Sequence, residues 1–324
     1  MVRPQKSSSG RGSRAKQGAR GGGAGKTSGK ASGNARGTRG AARNAGARGG
    51  GAKGGTRRAS VSSVRDTRES PRKSVAKGLG GEQVEGRQAV RELLLSGKRK
   101  TREIWIASDL DENDVVNDIV EIAHQVRVQV MEVNRKRLEQ QARSEAPQGI
   151  IAFAAPLPEA EFDQMLRDAK TKKSFLVAVD GVTDPGNLGA LLRCCDGAGV
   201  DGVILPRHRA VHVTPTVAKS AAGAIEYMPM ALVGGLPTAI KQMRDAGIWV
   251  VGLDDAADRS LFELGDLASD PICIVLGAEG AGLSRLVRER CDMVVSIPML
   301  GRLSSLNVSV AGALAVYEVA RSRR

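Results

Sequence analysis

The chain has few aromatic residues, few cysteines and few histidines. Its 324 residues include 4 cysteines and 3 histidines, and 2% of them are aromatic. A nucleophile activated by histidine therefore has little support, and we interpret His208 and His212 as loop residues. Because the cysteines show neither a C-x-x-C pair nor the histidine spacing of a zinc site, we expect no metal centre. We predict that the four cysteines are small buried thiols in a reducing compartment. They are Cys194, Cys195, Cys273 and Cys291.

Long apolar runs are also missing. No segment approaches the ~20 consecutive apolar residues that cross a bilayer, and none has the apolar core of a secretory signal. The hydrophobic fraction of 41% is still enough for a buried core, and the length predicts about two domains besides a tail. We expect a soluble, cytoplasmic protein with no membrane partner.

Acidic and apolar side chains are nearly absent from residues 1–80. This glycine-rich segment holds 20 of the 49 Lys and Arg residues but only 2 of the 35 Asp and Glu residues. We predict a disordered tail, because so few apolar groups cannot offset the conformational entropy of folding. Its charge suits nonspecific binding to a nucleic acid through counterion release. A solubilising tail and a transit peptide are the alternatives, and the glycine content opposes an amphipathic transit helix.

Residues 81–155 predict a small α/β domain. "GRQAVRELLLSG" and "NDVVNDIVEIAHQ" have helical spacing, the second with an Asn cap, whereas "EIWIAS", "VRVQVMEV" and "GIIAFAA" are typical of strands. Basic clusters at 97–102 and 134–143 are candidates for phosphate contact, and a solvated helix face is the equal alternative. Two prolines and a charged helix predict a linker over 156–173.

Residues 174–324 predict a mostly parallel sheet with helices on both faces. Apolar runs such as "FLVAVDGV", "GVILP", "IWVVGLD", "PICIVLG" and "MVVSIP" alternate with helical segments such as "NLGALLRCCDGAG" and "TPTVAKSAAGAI". Ligands of such sheets bind beyond the carboxyl ends of the strands. That rule places a site at the loops after Val182, Gly277 and Pro298.

The first of these loops is "DGVTDPGNLGALLR". The pair Pro185 and Gly186 predicts a turn, and Asn187 predicts the cap of the helix that follows. Arg193, in the second turn of that helix, interrupts the apolar stretch "LGALLRCC", where a buried guanidinium needs a partner. Such a fixed cation suits a phosphate or a developing oxyanion.

The second loop is "VLGAEGAGLSRL". Gly277, Gly280 and Gly282 permit close backbone approach and positive φ, and Ser284 predicts a helix cap. The order G-x-x-G-x-G differs from the dinucleotide fingerprint G-x-G-x-x-G, which argues against a nicotinamide or flavin enzyme. A carboxylate at Glu279 repels phosphates but suits a hydroxyl or an amine.

The third loop, "IPMLGRLSSLN", precedes a helix that we predict to begin at Val308. One cap requires only one small polar residue, so several of them indicate either capping with tight packing or a binding site at the start of a helix. Hydroxyls, an amide and free backbone N–H groups beside a strand end suit an uncharged or zwitterionic ligand such as S-adenosylmethionine. The small polar residues are Gly301, Ser304, Ser305, Asn307 and Ser309.

In this order and spacing, the motifs "DPGNLGALLR", "VLGAEGAGLS" and "IPMLGRLSSLNVSVAGALAVYE" resemble the three signatures of the SpoU (TrmH-type) RNA ribose 2′-O-methyltransferases of the SPOUT superfamily. The resemblance covers about residues 175–320. The preceding domain is similar to the RNA-binding domain of the bacterial branch that methylates a guanosine ribose in 23S rRNA. This chain has Pro147 where that branch often has a histidine, and its Gly/Arg tail is an addition to the family pattern.

The resemblance implies an α/β fold with a C-terminal trefoil knot, a homodimer with two cofactor pockets, and S-adenosylmethionine as the methyl donor. The apolar last helix, "VSVAGALAVYEVA", independently favours a dimer. The implied substrate is a guanosine of 23S rRNA. The alternatives are a tRNA ribose and an RNA-binding assembly factor without catalysis, which need not retain all the motif residues together.

The resemblance also assigns roles to residues. We interpret Arg193 as a clamp that orients phosphate and lowers the pKa of the hydroxyl, because a guanidinium stays protonated. Ser305 and Asn307 are expected to position the ribose or the arginine, and Glu279 to hold Arg193 or accept a hydrogen bond from substrate. The expected catalytic set is Arg193, Asn187, Glu279, Ser305 and Asn307. The expected cofactor-binding set is Leu276, Gly277, Ile297, Met299, Gly301 and Leu306.

Overall fold

A computed structural model describes residues 78–111, 113–208 and 212–323. The predicted tail lies outside these residues, apart from its last three positions. No helix within the described ranges is both long and apolar enough to span a membrane. The strands are β1 (Gln83–Glu85), β2 (Thr101–Ala107), β3 (Gln129–Val133), β4 (Ile150–Ala154), β5 (Phe175–Val179), β6 (Gly202–Pro206), β7 (Met230–Val233), β8 (Trp249–Leu253), β9 (Ile272–Leu276) and β10 (Met293–Val295). The helices are α1 (Arg87–Ser96), α2 (Asp114–Gln125), α3 (Arg135–Gln141), α4 (Phe162–Lys172), α5 (Pro185–Gly197), α6 (Pro215–Ser220), α7 (Leu236–Asp245), α8 (Arg285–Arg290) and α9 (Val308–Ser322).

The smaller sheet has four strands in the order β1-β4-β2-β3. β4 is antiparallel to β1 and β2, and β3 is parallel to β2. Alternate residues such as Ile104 and Ala152 are fully buried in one core together with apolar residues of α1 and α2, because successive strand side chains point to opposite faces. The Asn113 side chain caps α2 as predicted, accepting a hydrogen bond from the Val116 N–H. The short polar strand β1 was not predicted, since three residues give no periodicity.

The larger sheet is parallel throughout, in the order β10-β8-β9-β5-β6-β7. Every residue of β5 and β9 is buried, as the apolar runs in the sequence indicate. One face packs against α5 and α9 and the other against α7 and α8, which gives the sheet two separate cores. The predicted parallel sheet with helices on both faces is therefore confirmed.

One predicted helix in this part is wrong. The segment "TPTVAKSAAGAI" does not continue past α6, because Ala222 and Gly223 have φ angles of 49° and 95°. A Cβ at Gly223 would lie 2.3 Å from the Cβ of Glu92, so the close approach of α1 requires glycine there. A 3-10 turn at Ala224–Glu226 and strand β7 follow.

A buried ion pair joins the two sheets. Nε and Nη2 of Arg99 donate to the two carboxylate oxygens of Glu226 at 2.9 and 2.5 Å. Nη1 donates to the carbonyl oxygens of Gly81 and Ala155, both at 2.6 Å. The two side chains are 3% and 1% exposed. Arg99 belongs to the basic cluster 97–102, but four of its five N–H donors are used inside the protein, so neither phosphate contact nor a solvated face applies to this residue.

The end of α9 is fixed by a second arginine. The Arg323 guanidinium donates to the carbonyl oxygens of Ala268, Lys173 and Asp270 at 2.7, 2.8 and 2.6 Å. It also lies 5.1 Å from the centre of the Phe175 ring. Partial burial lowers the pKa of Arg323 below its ordinary value. These contacts fix the C-terminal end of α9 beside the start of β5.

Candidate active site

A cavity of about 790 Å³ lies at the carboxyl ends of β8, β9 and β10. Its volume falls within the range of about 300–1,000 Å³ that small-molecule sites occupy. The loops after Gly277 and Pro298 contribute to it as the strand-end rule predicts, whereas the loop after Val182 does not line it directly. The wall comprises Leu253 to Ala256, Leu276 to Leu283, Arg288, Ile297, Met299, Ser304 to Val308 and Ala311.

The glycine-rich loop after β9 forms a tight turn against itself. The backbones of Ala278 and Gly282 exchange two hydrogen bonds of 3.0 and 2.9 Å. A Cβ at Gly277 would lie 2.2 Å from the carbonyl carbon of Gly282. The loop's own backbone therefore requires glycine at this position, which is a reason separate from the expected approach of a ligand. Gly280 and Gly282 have positive φ, as predicted.

Asp180 attaches this loop to the end of β5. Its carboxylate accepts a hydrogen bond of 2.7 Å from the backbone N–H of Ser284. Ser284 occupies the N-cap position of α8, but its hydroxyl caps none of the described backbone groups, so the predicted side-chain cap is wrong. The loop thus begins on β9 and ends on a contact with β5.

Three polar side chains, from the first turn of α5, the loop after β9 and the start of α9, meet at the edge of the cavity. Nδ2 of Asn187 and Nδ2 of Asn307 both donate to Oε1 of Glu279, at 2.7 and 2.9 Å. Asn307 Nδ2 also lies 3.0 Å from Oδ1 of Asn187. We call these residues the amide–carboxylate cluster. Glu279 therefore contacts two amides and not Arg193, so the expectation that it holds Arg193 is wrong for the described contacts.

Asn187 is free to join this cluster because another residue caps α5. Asp184 is the cap, and its Oδ1 accepts a hydrogen bond of 2.7 Å from the Asn187 N–H. Pro185 is the first residue of the helix, a position that proline favours. The predicted cap at Asn187 is therefore wrong by three residues, while its side chain does reach the predicted site.

Asn307 has two functions at once. Its Oδ1 caps α9, accepting hydrogen bonds from the Ser309 N–H and hydroxyl at 2.9 and 2.6 Å and from the Val310 N–H at 3.4 Å. Its Nδ2 joins the cluster. Ser304 and Ser305 are exposed and line the cavity. The many small polar groups before α9 are thus partly a cap and partly a cavity wall, and the predicted helix start at Val308 is confirmed.

The structure does not place every expected site residue at the cavity. Arg193 is exposed on α5 and is not part of the wall, so its expected burial is wrong. Gly301 is also exposed and is not part of the wall, so the expected close approach of a ligand stays a prediction. The remaining expected cofactor residues all line the cavity: Leu276, Gly277, Ile297, Met299 and Leu306.

The loop after β8 was not predicted as part of the site. Asp254 and Asp255 line the cavity, and Asp254 is held by Arg288, whose Nη1 lies 2.6 Å from its Oδ1. The Ala256 N–H donates to the same oxygen at 3.0 Å. The strand "IWVVGLD" was predicted, so the rule that ligands bind at the carboxyl ends of strands applied to it as well. The acidic residues at the end of this strand were the signal that could have indicated a part of the site.

These features define an α/β domain that binds a nucleoside-sized ligand at the carboxyl edge of a parallel sheet. Residues 174–317 match the SpoU rRNA Methylase family, and residues 83–160 match the family described as RNA 2′-O ribose methyltransferase substrate binding. A Staphylococcus haemolyticus protein named as a TrmH family tRNA/rRNA methyltransferase is 42% identical over 244 residues, which cover 74% of this chain and 94% of that protein. The chain belongs to the SpoU/TrmH family of RNA methyltransferases.

Two solved structures are similar over most of the same region. The SpoU methyltransferase AviRb from Streptomyces viridochromogenes, in complex with AdoMet, has a TM-score of 0.62 and 27% identity, covering 74% of this chain and 89% of its own. An AdoMet-bound rRNA methyltransferase from Sinorhizobium meliloti has a TM-score of 0.59 and 26% identity, covering 74% and 86%. The similarity extends across both sheets, since 74% of the chain is more than the part that contains the larger sheet.

Proposed function

We propose that the protein transfers a methyl group from S-adenosylmethionine to the ribose 2′-OH of one guanosine in 23S rRNA. The observation that carries the proposal is the cavity at the carboxyl edge of the larger sheet, with the amide–carboxylate cluster at its rim. The protein is an S-adenosylmethionine-dependent RNA methyltransferase by family.

The residues of the cavity fit the methyl donor in shape and charge. Leu276, Ile297 and Leu306 offer aliphatic walls for an adenine ring, next to the Ser305 hydroxyl. Arg288 compensates Asp254, but Asp255 and Glu279 add negative charge to the wall, which opposes a polyphosphate cofactor and suits a ligand that carries a sulfonium and an amine. S-adenosylmethionine supplies an electrophilic methyl group on that sulfonium.

The amide–carboxylate cluster fits the acceptor. A ribose hydroxyl must be held in line with the methyl group and must lose its proton during transfer. Oε1 of Glu279 accepts from two amides, so the second carboxylate oxygen is left to accept from a hydroxyl. Asn187 and Asn307 fix the carboxylate, and the neighbouring Ser305 hydroxyl lies in the same wall. We assign orientation of the ribose to these residues.

Arg193 leads to the proposal of a homodimer. Val310, Leu314 and Tyr317 form an exposed apolar stripe along α9. A Cβ at Gly197 would lie 2.8 Å from the Tyr317 hydroxyl, so the turn of α5 that carries Arg193 borders this stripe. A second copy packed on the stripe would cover it and bring Arg193 to the boundary between the copies. There the guanidinium can clamp an RNA phosphate beside the partner's cavity, which explains its absence from the cavity of its own chain.

The RNA substrate is supported by the smaller domain. Residues 83–160 match a substrate-binding family, and the Arg99–Glu226 pair fixes this domain next to the larger sheet. A separate, fixed RNA-binding domain favours a structured target such as 23S rRNA. A tRNA ribose is the rival, because the similar Staphylococcus haemolyticus protein is named for both RNAs.

The cysteines support a cytoplasmic location. All four are free thiols, and two of them, Cys195 and Cys273, are fully buried. Burial raises the pKa of both thiols, so neither forms a reactive thiolate. Unpaired structural thiols are typical of a reducing compartment.

The test is transfer of labelled methyl groups from S-adenosylmethionine to purified 23S rRNA and tRNA, followed by analysis of the modified nucleosides. We expect 2′-O-methylguanosine in 23S rRNA with the wild-type protein and with Glu121→Gln, which changes an exposed carboxylate on α2. Glu279→Gln, the same chemical change in the cluster, should reduce the rate on the order of a hundredfold. Base methylation, or equal rates for the two variants, would contradict the proposal.

A further inference from the structure

We propose that the open face of the smaller sheet binds one unpaired RNA base, which stacks at Trp105, Phe153 and Arg137. The inference rests on the proposed RNA substrate and adds to it a site where the RNA is held away from the cavity. The face in question is the one opposite α1 and α2. Helix α3 covers only part of it, where Leu138 is fully buried with Ala107, Val133 and Ile151.

The part of the face that α3 leaves open carries two aromatic rings. Trp105 on β2 and Phe153 on β4 are both partly exposed, with ring centres 5.4 Å apart and planes at 69°. The chain has only 8 aromatic residues, so two adjacent rings on one partly exposed sheet face are unusual here. Aromatic side chains on the face of a sheet are a common platform for unpaired RNA bases.

A guanidinium adds positive charge to the rings. The Arg137 side chain is exposed, and its guanidinium carbon lies 4.8 Å from the centre of the Trp105 ring. A guanidinium stacks on bases as well as on aromatic rings, so Arg137 can hold a base against Trp105 or form the next layer of the stack. Its neighbour Arg135 is already paired with Asp109 at 2.7 Å, which leaves Arg137 as the cation at the rings.

Glu103 determines which part of a nucleotide fits. Its Oε1 accepts a hydrogen bond of 3.1 Å from Nε1 of Trp105, which fixes the indole orientation. A carboxylate beside the rings repels a phosphate, so the base and not the backbone is expected there. The other carboxylate oxygen can accept from the exocyclic amine of adenine, cytosine or guanine.

Single-tryptophan variants test the site directly, since the chain has only two tryptophans. In Trp249→Phe, the sole tryptophan is Trp105, and we expect saturable quenching of its fluorescence by a single-stranded RNA of about ten nucleotides. In Trp105→Phe, the sole tryptophan is Trp249, which is 41% exposed at the start of β8 on the larger sheet, and no quenching is expected. An RNA duplex of the same length should quench neither variant.

A second measurement separates stacking from charge. Arg137→Gln should weaken binding of the single strand on the order of tenfold, as the loss of one stacking partner does. Lys136→Gln removes the same charge from the adjacent exposed position and should have a clearly smaller effect. Thermal melting of each variant establishes that it is folded.

The proposal is overturned if Trp105 fluorescence does not respond to the single strand, or if Arg137→Gln and Lys136→Gln weaken binding equally. Either result leaves the proposed function intact when the wild-type protein still methylates 23S rRNA. Quenching of Trp105 by a protein that methylates no RNA would support this site and contradict the proposed function instead.

Discussion

The site depends on the distribution of hydrogen bonds around one carboxylate oxygen. Oε1 of Glu279 accepts from Asn187, in the first turn of α5, and from Asn307, the cap of α9. Because each amide donates to the same atom, the loss of one amide leaves the other as the sole hydrogen-bond donor to this oxygen among the described residues. The Asn187 side chain can donate to Glu279 because Asp184, and not Asn187, caps α5.

The pKa of Tyr227 provides a test of a single side-chain contact. Burial, and then the hydrogen bond that its hydroxyl donates to Glu92 at 2.8 Å, raises the pKa of Tyr227 from 10.0 to about 12. Because the folded-state pKa is raised, the contribution to stability is present below pH 10 and is lost as the pH rises towards 12. In Tyr317→Phe, where Tyr227 is the only tyrosine, ultraviolet absorbance should titrate near pH 12. Titration at the ordinary tyrosine pKa would show that the contact with Glu92 is absent in solution.

At the scale of elements, α9 connects stability to the site. Asn307 supplies its cap through Oδ1 and the site through Nδ2. The same side chain therefore has two separable functions. An aspartate retains the cap oxygen but has no amide to donate.

We accordingly expect different outcomes for two substitutions at this position. Asn307→Ala should destabilise the protein by about 1 kcal/mol, the usual value of an N-cap, and should also reduce methylation. Asn307→Asp should retain most of the stability in urea unfolding but lose methylation on the order of a hundredfold, because its carboxylate faces Glu279. Equal stability losses in both variants would contradict the separation of the cap oxygen from the amide that joins the cluster.

The elements also show what the sequence could and could not predict. Alternating and helical periodicity predicted β2, α2 and the start of α9, because burial of one face determines those patterns. The caps at Asn187 and Ser284 were wrong, since several residues that can cap stand near each helix start and only tertiary contacts select among them. The break after α6 depends on Gly223 fitting against Glu92, which is 131 positions away in the sequence and leaves no local pattern.

For the whole molecule, the Arg99–Glu226 pair joins the RNA-binding and methyltransferase domains. This pair could not be predicted from the sequence, because a basic cluster on its own predicts either a solvated surface or a phosphate contact. In the structure, Arg99 instead donates four hydrogen bonds to groups inside the protein. The buried guanidinium thus acts together with a shared apolar core and the backbone hydrogen bond from Gly81 to Val213 to fix the orientation of the two domains.

Replacing one partner of this pair should cost far more than replacing both. Glu226→Ala leaves the buried guanidinium unpaired and should reduce the free energy of unfolding by about 3–5 kcal/mol. The double variant Arg99→Met/Glu226→Leu removes both charges and should recover much of that loss. Urea unfolding of the single and double variants measures the difference, and a double variant that is as unstable as Glu226→Ala would count against the argument.

The charge of the basic tail is expected to affect RNA binding by the whole protein. Removal of residues 1–77, which lie outside the described structure, deletes 20 Lys and Arg residues. RNA binding should weaken, and the dependence of log K on log salt concentration should become less steep, because fewer counterions are released. The modified nucleotide should stay the same, as mapped by 2′-O-methylation profiling. A changed position after truncation would assign specificity to the tail.

The most direct test of the proposed function is a 2′-O-methylation map of rRNA and tRNA from cells with the wild-type protein, from cells without it, and from cells with Arg193→Ala. We predict that one guanosine of 23S rRNA loses its methyl group in both altered strains. We also expect purified Arg193→Ala to bind S-adenosylmethionine with nearly unchanged affinity, since Arg193 is not part of the cavity wall. A map without any change in 2′-O-methylation, or a large loss of cofactor binding in Arg193→Ala, would contradict this account.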